Sequence, residues 1–154
     1  MTAGAIDSAQ PTEMLLFRQG GELFALALRS ALEVLELPVI EPVPEMRDGM
    51  LGVFPVRGSY VPVYAPEAAL GLPPASSHAA VLMLRRGAGA VGIALEDVED
   101  VIMVDTSRLH HPHAVAAGAG VVRGVERRGG DLVGIVDADA LVDACATPRT
   151  GEPE

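Results

Sequence analysis

The chain has 154 residues, of which 49% are hydrophobic and 3% aromatic, and a formal net charge of -10. This length allows one ordinary domain or two small packed units. The acidic balance argues against non-specific binding to nucleic acids, because phosphate neutralisation needs clustered basic residues. With Cys145 alone, no intramolecular disulfide is possible, and no apolar run approaches the ~20 residues of a membrane helix. These features predict a cytoplasmic protein without direct membrane insertion.

The first predicted strands follow a tail of residues 1–13, which we expect to be disordered because it is small and polar. A strand over 14–18, a glycine turn and a return strand over 22–28 form a hairpin, and the return strand alternates large and small apolar residues with a period of two. Ser30 and Glu33 have the spacing of a capping box, which predicts a helical turn there. A short helix is also predicted over 65–70.

A second hairpin is predicted at 52–64, where two apolar strands flank the turn Arg57-Gly58-Ser59. Arg57 is the one charge in the stretch 52–63, so its guanidinium needs a carboxylate or carbonyl partner, or a place at the rim of the fold. Glu33 is the best carboxylate candidate. From the residue pattern alone, two alternative roles remain for Glu33: a cap on the amide of Ser30, or the partner of Arg57. If the pair is partly buried, removing Glu33 would cost ~3 kcal/mol of stability, because the guanidinium would lose its partner.

The second half of the sequence repeats the first. Residues 91–101 match 24–34 at a constant offset of 67, with Asp100 opposite Glu33, and the hairpin and short helix after Gly52 recur after Gly124. We interpret this as the duplication of a β unit of roughly 65 to 70 residues. Short strands and frequent turn signals predict an all-β fold of two small barrels or sandwiches side by side, over 14–72 and 78–146, with short helices. The end of the chain, 147–154, should be disordered.

No catalytic or metal-binding pattern stands out. His110, His111 and His113 flank a proline in a predicted loop without nearby cysteine, so a solvated loop is favoured over a metal site. The acidic stretch 96–105 lacks the spacing of a calcium loop. No nucleophile motif or glycine-rich phosphate loop is present. We therefore expect no enzyme activity, no cofactor and no metal.

Four segments in order resemble the CheW family of bacterial chemotaxis coupling proteins, over about residues 14 to 145. These segments are Phe24 to Leu28 with Glu33-Val34; Gly52-Val53 with Val56 to Gly58 and Val61 to Val63; Val91 to Ile93 with Asp97-Val98 and Asp100-Val101; and Leu132 to Leu141. The resemblance implies a single CheW-like domain over 14–146 made of two five-stranded SH3-like barrels. It also implies a non-catalytic adaptor that joins chemoreceptor tips to the regulatory domain of a CheA-type histidine kinase, in cytoplasmic arrays at the membrane.

The resemblance also implies partner-binding positions, and it favours the ion pair between Glu33 and Arg57. A surface that accepts a partner helix is expected to be modestly apolar. For Gly52 and Gly92 especially, the alternative is that they only maintain the barrels. The implied partner-binding residues are Leu28, Ala31, Glu33, Gly52, Val56, Arg57, Gly58, Gly92 and Val101.

The sequence departs from the family pattern at two places in the first unit. Pro55 replaces an asparagine, which requires an edge strand or a local bend because proline has no N–H. Ala65 replaces an aspartate. These changes predict a divergent member that either serves a non-flagellar chemosensory pathway or has lost one of its two partners. The alternatives are a small-ligand module that uses the cleft between the barrels, or a metal-dependent enzyme that uses the histidines.

Overall fold

The computed structural model describes residues 11–44, 46, 49–111 and 120–146. Within these residues the predicted all-β class is confirmed: ten strands are accompanied by one short helix and two single-turn 3-10 segments, Leu28–Ser30 and Thr106–Arg108. The strands are β1 Pro11–Gln19, β2 Glu22–Ala27, β3 Ala31–Glu36, β4 Met50–Val56, β5 Ser59–Tyr64, β6 Ala80–Arg86, β7 Gly89–Leu95, β8 Asp97–Asp105, β9 Val122–Arg128 and β10 Asp131–Val136, and the helix is α1 Ala138–Ala146.

The strands form two five-stranded sheets. The terminal sheet has the order β8-β1-β2-β10-β9, and the central sheet has the order β3-β6-β7-β5-β4. Each sheet therefore takes strands from both halves of the chain, and the predicted division into barrels over 14–72 and 78–146 is wrong. The 3-10 turn after β2 and the single residue Glu96 between β7 and β8 carry the chain from one sheet to the other. A sequence repeat shows which segments are alike, but it does not show which strands pair.

The predicted duplication itself is confirmed by the pairing. If β1–β5 are matched to β6–β10, the two sheet orders become identical. The register agrees as well: Ala25 pairs in parallel with Ile135, and Gly92 pairs in parallel with Val63. Positions 25 and 92 are 67 apart, the offset found in the sequence, and 63 and 135 are 72 apart.

Strands β1, β2, β6 and β7 are buried on both faces. Their large side chains, including Phe17, Phe24, Leu82 and Ile93, form a core shared by the two sheets. Smaller residues on the opposite faces, such as Ala25 and Ala94, belong to separate clusters inside the terminal and the central sheet. The alternation of large and small residues on β2 and β7 thus corresponds to two buried faces, with the large residues in the core shared by the sheets and the small ones in the cluster of each sheet.

Three local predictions are corrected by the structure. Strand β1 begins at Pro11, so residues 11–13 belong to a strand and not to the predicted disordered tail. The 3-10 turn ends at Ser30 and Glu33 lies in β3, so the capping-box role is wrong. The predicted helix over 65–70 is absent: residues 65–66 are irregular and 67–71 form turns, although the amide of Leu70 donates to the carbonyl of Pro66 at 3.0 Å.

Pro55 is exposed on β4, the edge strand of the central sheet, as its missing N–H requires. The disorder expected for 1–10 and 147–154, and the loop expected around His113, lie outside the described residues.

Candidate functional site

Glu33 and Arg57 meet at the rim of the central sheet. Glu33 lies on edge strand β3, while Arg57 and Gly58 connect β4, the other edge strand, to β5. Both turn residues have positive φ, 48° and 86°, as a type I′ hairpin turn requires. Arg57 Nη2 lies 3.7 Å from Glu33 Oε1, with 79% and 41% of the two side chains exposed. This exposed pair contributes ~0–1 kcal/mol to the free energy of unfolding, less than the ~3 kcal/mol expected for a partly buried pair.

The other predicted partner-binding residues divide between surface and core. Val56 is half-buried beside the turn. Leu28 begins the 3-10 turn and Ala31 follows it, and both pack on the core between the sheets. Val101 is 44% exposed, but it lies on β8 at the edge of the terminal sheet. The predicted set is therefore distributed over both sheets, and its exposed members lie on or beside edge strands.

Gly52 and Gly92 are buried, and their surroundings explain the absence of a side chain. A Cβ on Gly52 would lie 2.3 Å from the carbonyl oxygen of Glu41, and the φ of Gly52 is +144°. A Cβ on Gly92 would lie 2.7 Å from Cγ1 of Val81. Both positions therefore require glycine for close packing, which favours the role of maintaining the fold.

Sequence reasoning missed the apolar side chains that edge strands β3 and β8 expose. Leu32 and Val34 point outward from β3, where exposed and half-buried residues alternate strictly. Met103 on β8 is 50% exposed, two residues after Val101. The alternation was present in the sequence, but which face would be covered depended on the sheet order. Exposed apolar residues on an edge strand are typical of a surface that pairs with another protein.

A buried polar cluster was also missed. Gln19 is fully buried and Glu67 is 3% exposed, and these two are the buried polar or charged residues of the described chain. The amide of Gln19 donates to the carboxylate of Glu67, and His78 Nε2 lies 3.0 Å from the same oxygen. Gln19 Oε1 accepts from the backbone N–H of Glu96 at 3.1 Å. The cluster thus connects β1 of the terminal sheet to the segments that enter β6 and leave β7 of the central sheet.

Cys145 lies beside this cluster on α1. Burial, and to a smaller extent the negative charge of Glu67, raises the pKa of the Cys145 thiol to about 12. Such a thiol is protonated at neutral pH and is a poor nucleophile.

His110 and His111 are held by contacts with the backbone. His110 exchanges two backbone hydrogen bonds with Val125, and His111 Nδ1 lies 3.1 Å from the carbonyl oxygen of Arg123. In the described part of the chain, no group of three or more His, Cys, Asp or Glu side chains is arranged to hold a metal ion. His111 and Arg123 border an open, largely polar cavity of about 860 Å³ beside the start of α1.

Two matched five-stranded sheets with exposed apolar edge strands place the chain among all-β interaction modules. A model of the CheW-like domain matches residues 13–146, and the chain therefore belongs to this family. Among solved structures, the scaffolding protein TtCheW from Thermoanaerobacter tengcongensis is similar, with a TM-score of 0.78 over 92% of this chain and 91% of that chain. The two sequences are 19% identical, so this likeness shows the fold.

A search of curated proteins found no match. None of the helices in the described segments has the length and apolar character needed to cross a membrane.

Proposed function

We propose that this protein is a non-catalytic adaptor in chemotaxis-like signalling, which couples chemoreceptors to the regulatory domain of a CheA-type histidine kinase. The observation that carries the proposal is the match of the CheW-like domain to residues 13–146. The similarity to the scaffolding protein TtCheW supports it. The protein would act in the cytoplasm, at receptor arrays on the membrane.

The surface supports two separate contacts. The rim residues Glu33 and Arg57 carry exposed charge, and the opposite face of β3 exposes the apolar side chains of Leu32 and Val34. The equivalent strand of the other sheet, β8, exposes Val101 and Met103. Because β3 and β8 lie at the edges of two different sheets, the molecule presents two separate apolar edges, which fits an adaptor that contacts two partners.

The direct experiment mixes the full chain with a CheA-type regulatory domain and a receptor cytoplasmic fragment from the same organism. We expect the protein to elute with each partner alone and with both together on a sizing column. Elution with one partner only would support a member that has lost the other, as the changes at Pro55 and Ala65 suggested. Elution with neither partner would refute the adaptor function.

A matched pair of variants locates the contact within the protein. Arg57→Glu places two carboxylates at the rim and should weaken one of the two complexes. Arg127→Glu changes an exposed arginine on β9 by the same charge and should leave both complexes unchanged.

A further inference from the structure

The internal repeat allows the two places where the chain passes between the sheets to be compared. At the passage from β7 to β8, the structure is closed by its own side chains. The backbone N–H of Gly20 donates to Glu96 Oε1 at 3.0 Å, and Gln19 and Glu67 fill the space beneath. The hairpin glycine is covered as well, because a Cβ on Gly20 would meet Leu72 at 3.2 Å.

The equivalent passage from β2 to β3 is open. Gly87 lies 67 positions after Gly20 and has nearly the same backbone angle, with φ of +58° against +60°. A Cβ on Gly87 would meet no atom within 4 Å. Arg29 lies 67 positions before Glu96. The junction between β2 and β3 therefore carries a guanidinium where the junction between β7 and β8 carries a carboxylate. Among the described residues, no side-chain carboxylate thus accepts from the amide of Gly87 as Glu96 accepts from that of Gly20.

The open passage forms a cleft of about 400 Å³. Its walls are the 3-10 turn with Arg29 and Ser30, the β6–β7 hairpin with Arg85 and Gly87, and the first turn of α1 with Asp139. Its floor is apolar, because Leu84 and Val142 are 1% and 3% exposed. The polar wall and the apolar floor suit a short carboxylic side chain, whose methylene groups need apolar contact and whose head group needs donors.

The charge of the cleft is opposite to that of the protein. The chain carries a net charge of -10, yet two exposed arginines line this cleft. Neither Arg29 nor Arg85 forms an ion pair with a carboxylate of the described residues, including Asp139 on the same cleft. Guanidinium groups bind carboxylates through paired, charge-assisted hydrogen bonds.

We propose that this cleft binds the side-chain carboxylate of a glutamate or aspartate presented by a partner protein. The carboxylate takes the place that Glu96 occupies in the other half, between the N–H of Gly87 and the guanidinium groups of Arg29 and Arg85. A protein partner fits better than a small molecule, because the charged walls are exposed and small-molecule sites enclose most of their ligand. The site shares no residue with the partner-binding positions named above, so it goes beyond the proposed adaptor function.

The test is an NMR titration of the ¹⁵N-labelled full chain with N-acetylated, C-amidated tetraglutamate, with tetraglutamine as the neutral control peptide. We expect saturable shifts at the amides of Gly87 and Ser30 with tetraglutamate only. The double variant Arg29→Glu, Arg85→Glu should lose about tenfold or more in affinity, because it replaces both attractive charges by repulsive ones. The double variant Arg29→Lys, Arg85→Lys keeps the charge but loses the paired guanidinium donors, so its affinity should lie between that of the native chain and that of the double glutamate variant.

Arg127→Glu is the matched control, because Arg127 is an exposed arginine elsewhere on the surface. An equal loss of affinity in this variant would show that the peptide responds only to the net charge of the protein, and it would overturn the proposal. An unshifted Gly87 amide would overturn it too. Succinate serves as a separate arm: if it binds at these amides as tightly as the peptide, the site belongs to a small molecule instead. None of these outcomes depends on the kinase or receptor, so the inference and the adaptor function can fail separately.

Discussion

The buried cluster of Gln19, Glu67 and His78 should couple the stability of the two sheets, and a double-mutant cycle measures that coupling. In the cycle Gln19 and Glu67 are each replaced by leucine, alone and together. Leucine has a similar volume but cannot form the hydrogen bond between the two side chains. Since both positions are buried, water cannot easily replace the lost partners.

The expected losses follow from counting the groups left without a partner. Gln19→Leu leaves the backbone N–H of Glu96 without its acceptor and removes one donor to Glu67, which should lower the free energy of unfolding by about 1–3 kcal/mol. Glu67→Leu removes the acceptor of both Gln19 and His78, so about 2–6 kcal/mol is expected. The double variant should lose at least ~1 kcal/mol less than the sum, because neither residue then leaves the other without a partner.

The assay is equilibrium unfolding in urea followed by far-UV circular dichroism, because the chain has no Trp to report by fluorescence. The midpoint gives the change in stability if the slope with denaturant is unchanged. Glu67→Gln is the conservative control: its amide oxygen can still accept both hydrogen bonds, so a change below ~1 kcal/mol is expected. The reasoning is refuted if the two leucine changes add within ~0.5 kcal/mol, since residues that share a buried hydrogen bond should not be independent.

Three further predictions concern the rim, the glycines and the thiol. Glu33→Ala or Arg57→Ala should change the free energy of unfolding by less than ~1 kcal/mol, because the pair is exposed, while weakening binding to a partner. Gly92→Ala should lower stability by about 1–3 kcal/mol by overpacking against Val81, and Gly52→Ala should lower it further because its Cβ would overlap a backbone oxygen. Native Cys145 should react slowly with a thiol reagent at pH 8, since burial raises its pKa to about 12.

Each of these has an outcome that contradicts it. A stability loss above ~2 kcal/mol in Arg57→Ala would mean that the ion pair holds the fold together. If Gly52→Ala left the stability unchanged and abolished partner binding, Gly52 would have a role in binding rather than in maintaining the fold. For Cys145, the folded pKa lies above the ordinary value of 9.0, so the stability it contributes is complete below pH 9 and is lost as the pH rises towards 12. Cys145→Ala should remove that alkaline decline, and an unchanged decline would assign it to other groups.

The sequence alone determined the class of fold and its repeat. Alternation of large and small apolar residues with a period of two identified the strands, because successive side chains of a strand point to opposite faces. The offset of 67 between 24–34 and 91–101 predicted the duplication, and glycine at positive φ marked the hairpin turns, as at Arg57-Gly58. The family resemblance pointed to Glu33 as the partner of Arg57, and the two side chains lie within 4 Å.

What the sequence did not determine was how the strands are shared between the sheets. The passages at Leu28–Ser30 and Glu96 are too short to carry a distinctive pattern, yet they decide that β3 pairs with β6 and that β8 pairs with β1, each a strand of the other repeat. That exchange also decides which apolar residues of β3 and β8 stay exposed, and it brings Gln19 and Glu67, 48 positions apart, into one buried cluster. Local residue patterns reflect the conformation of the backbone nearby, whereas pairing, burial and charge contacts depend on segments that meet only after the chain has folded.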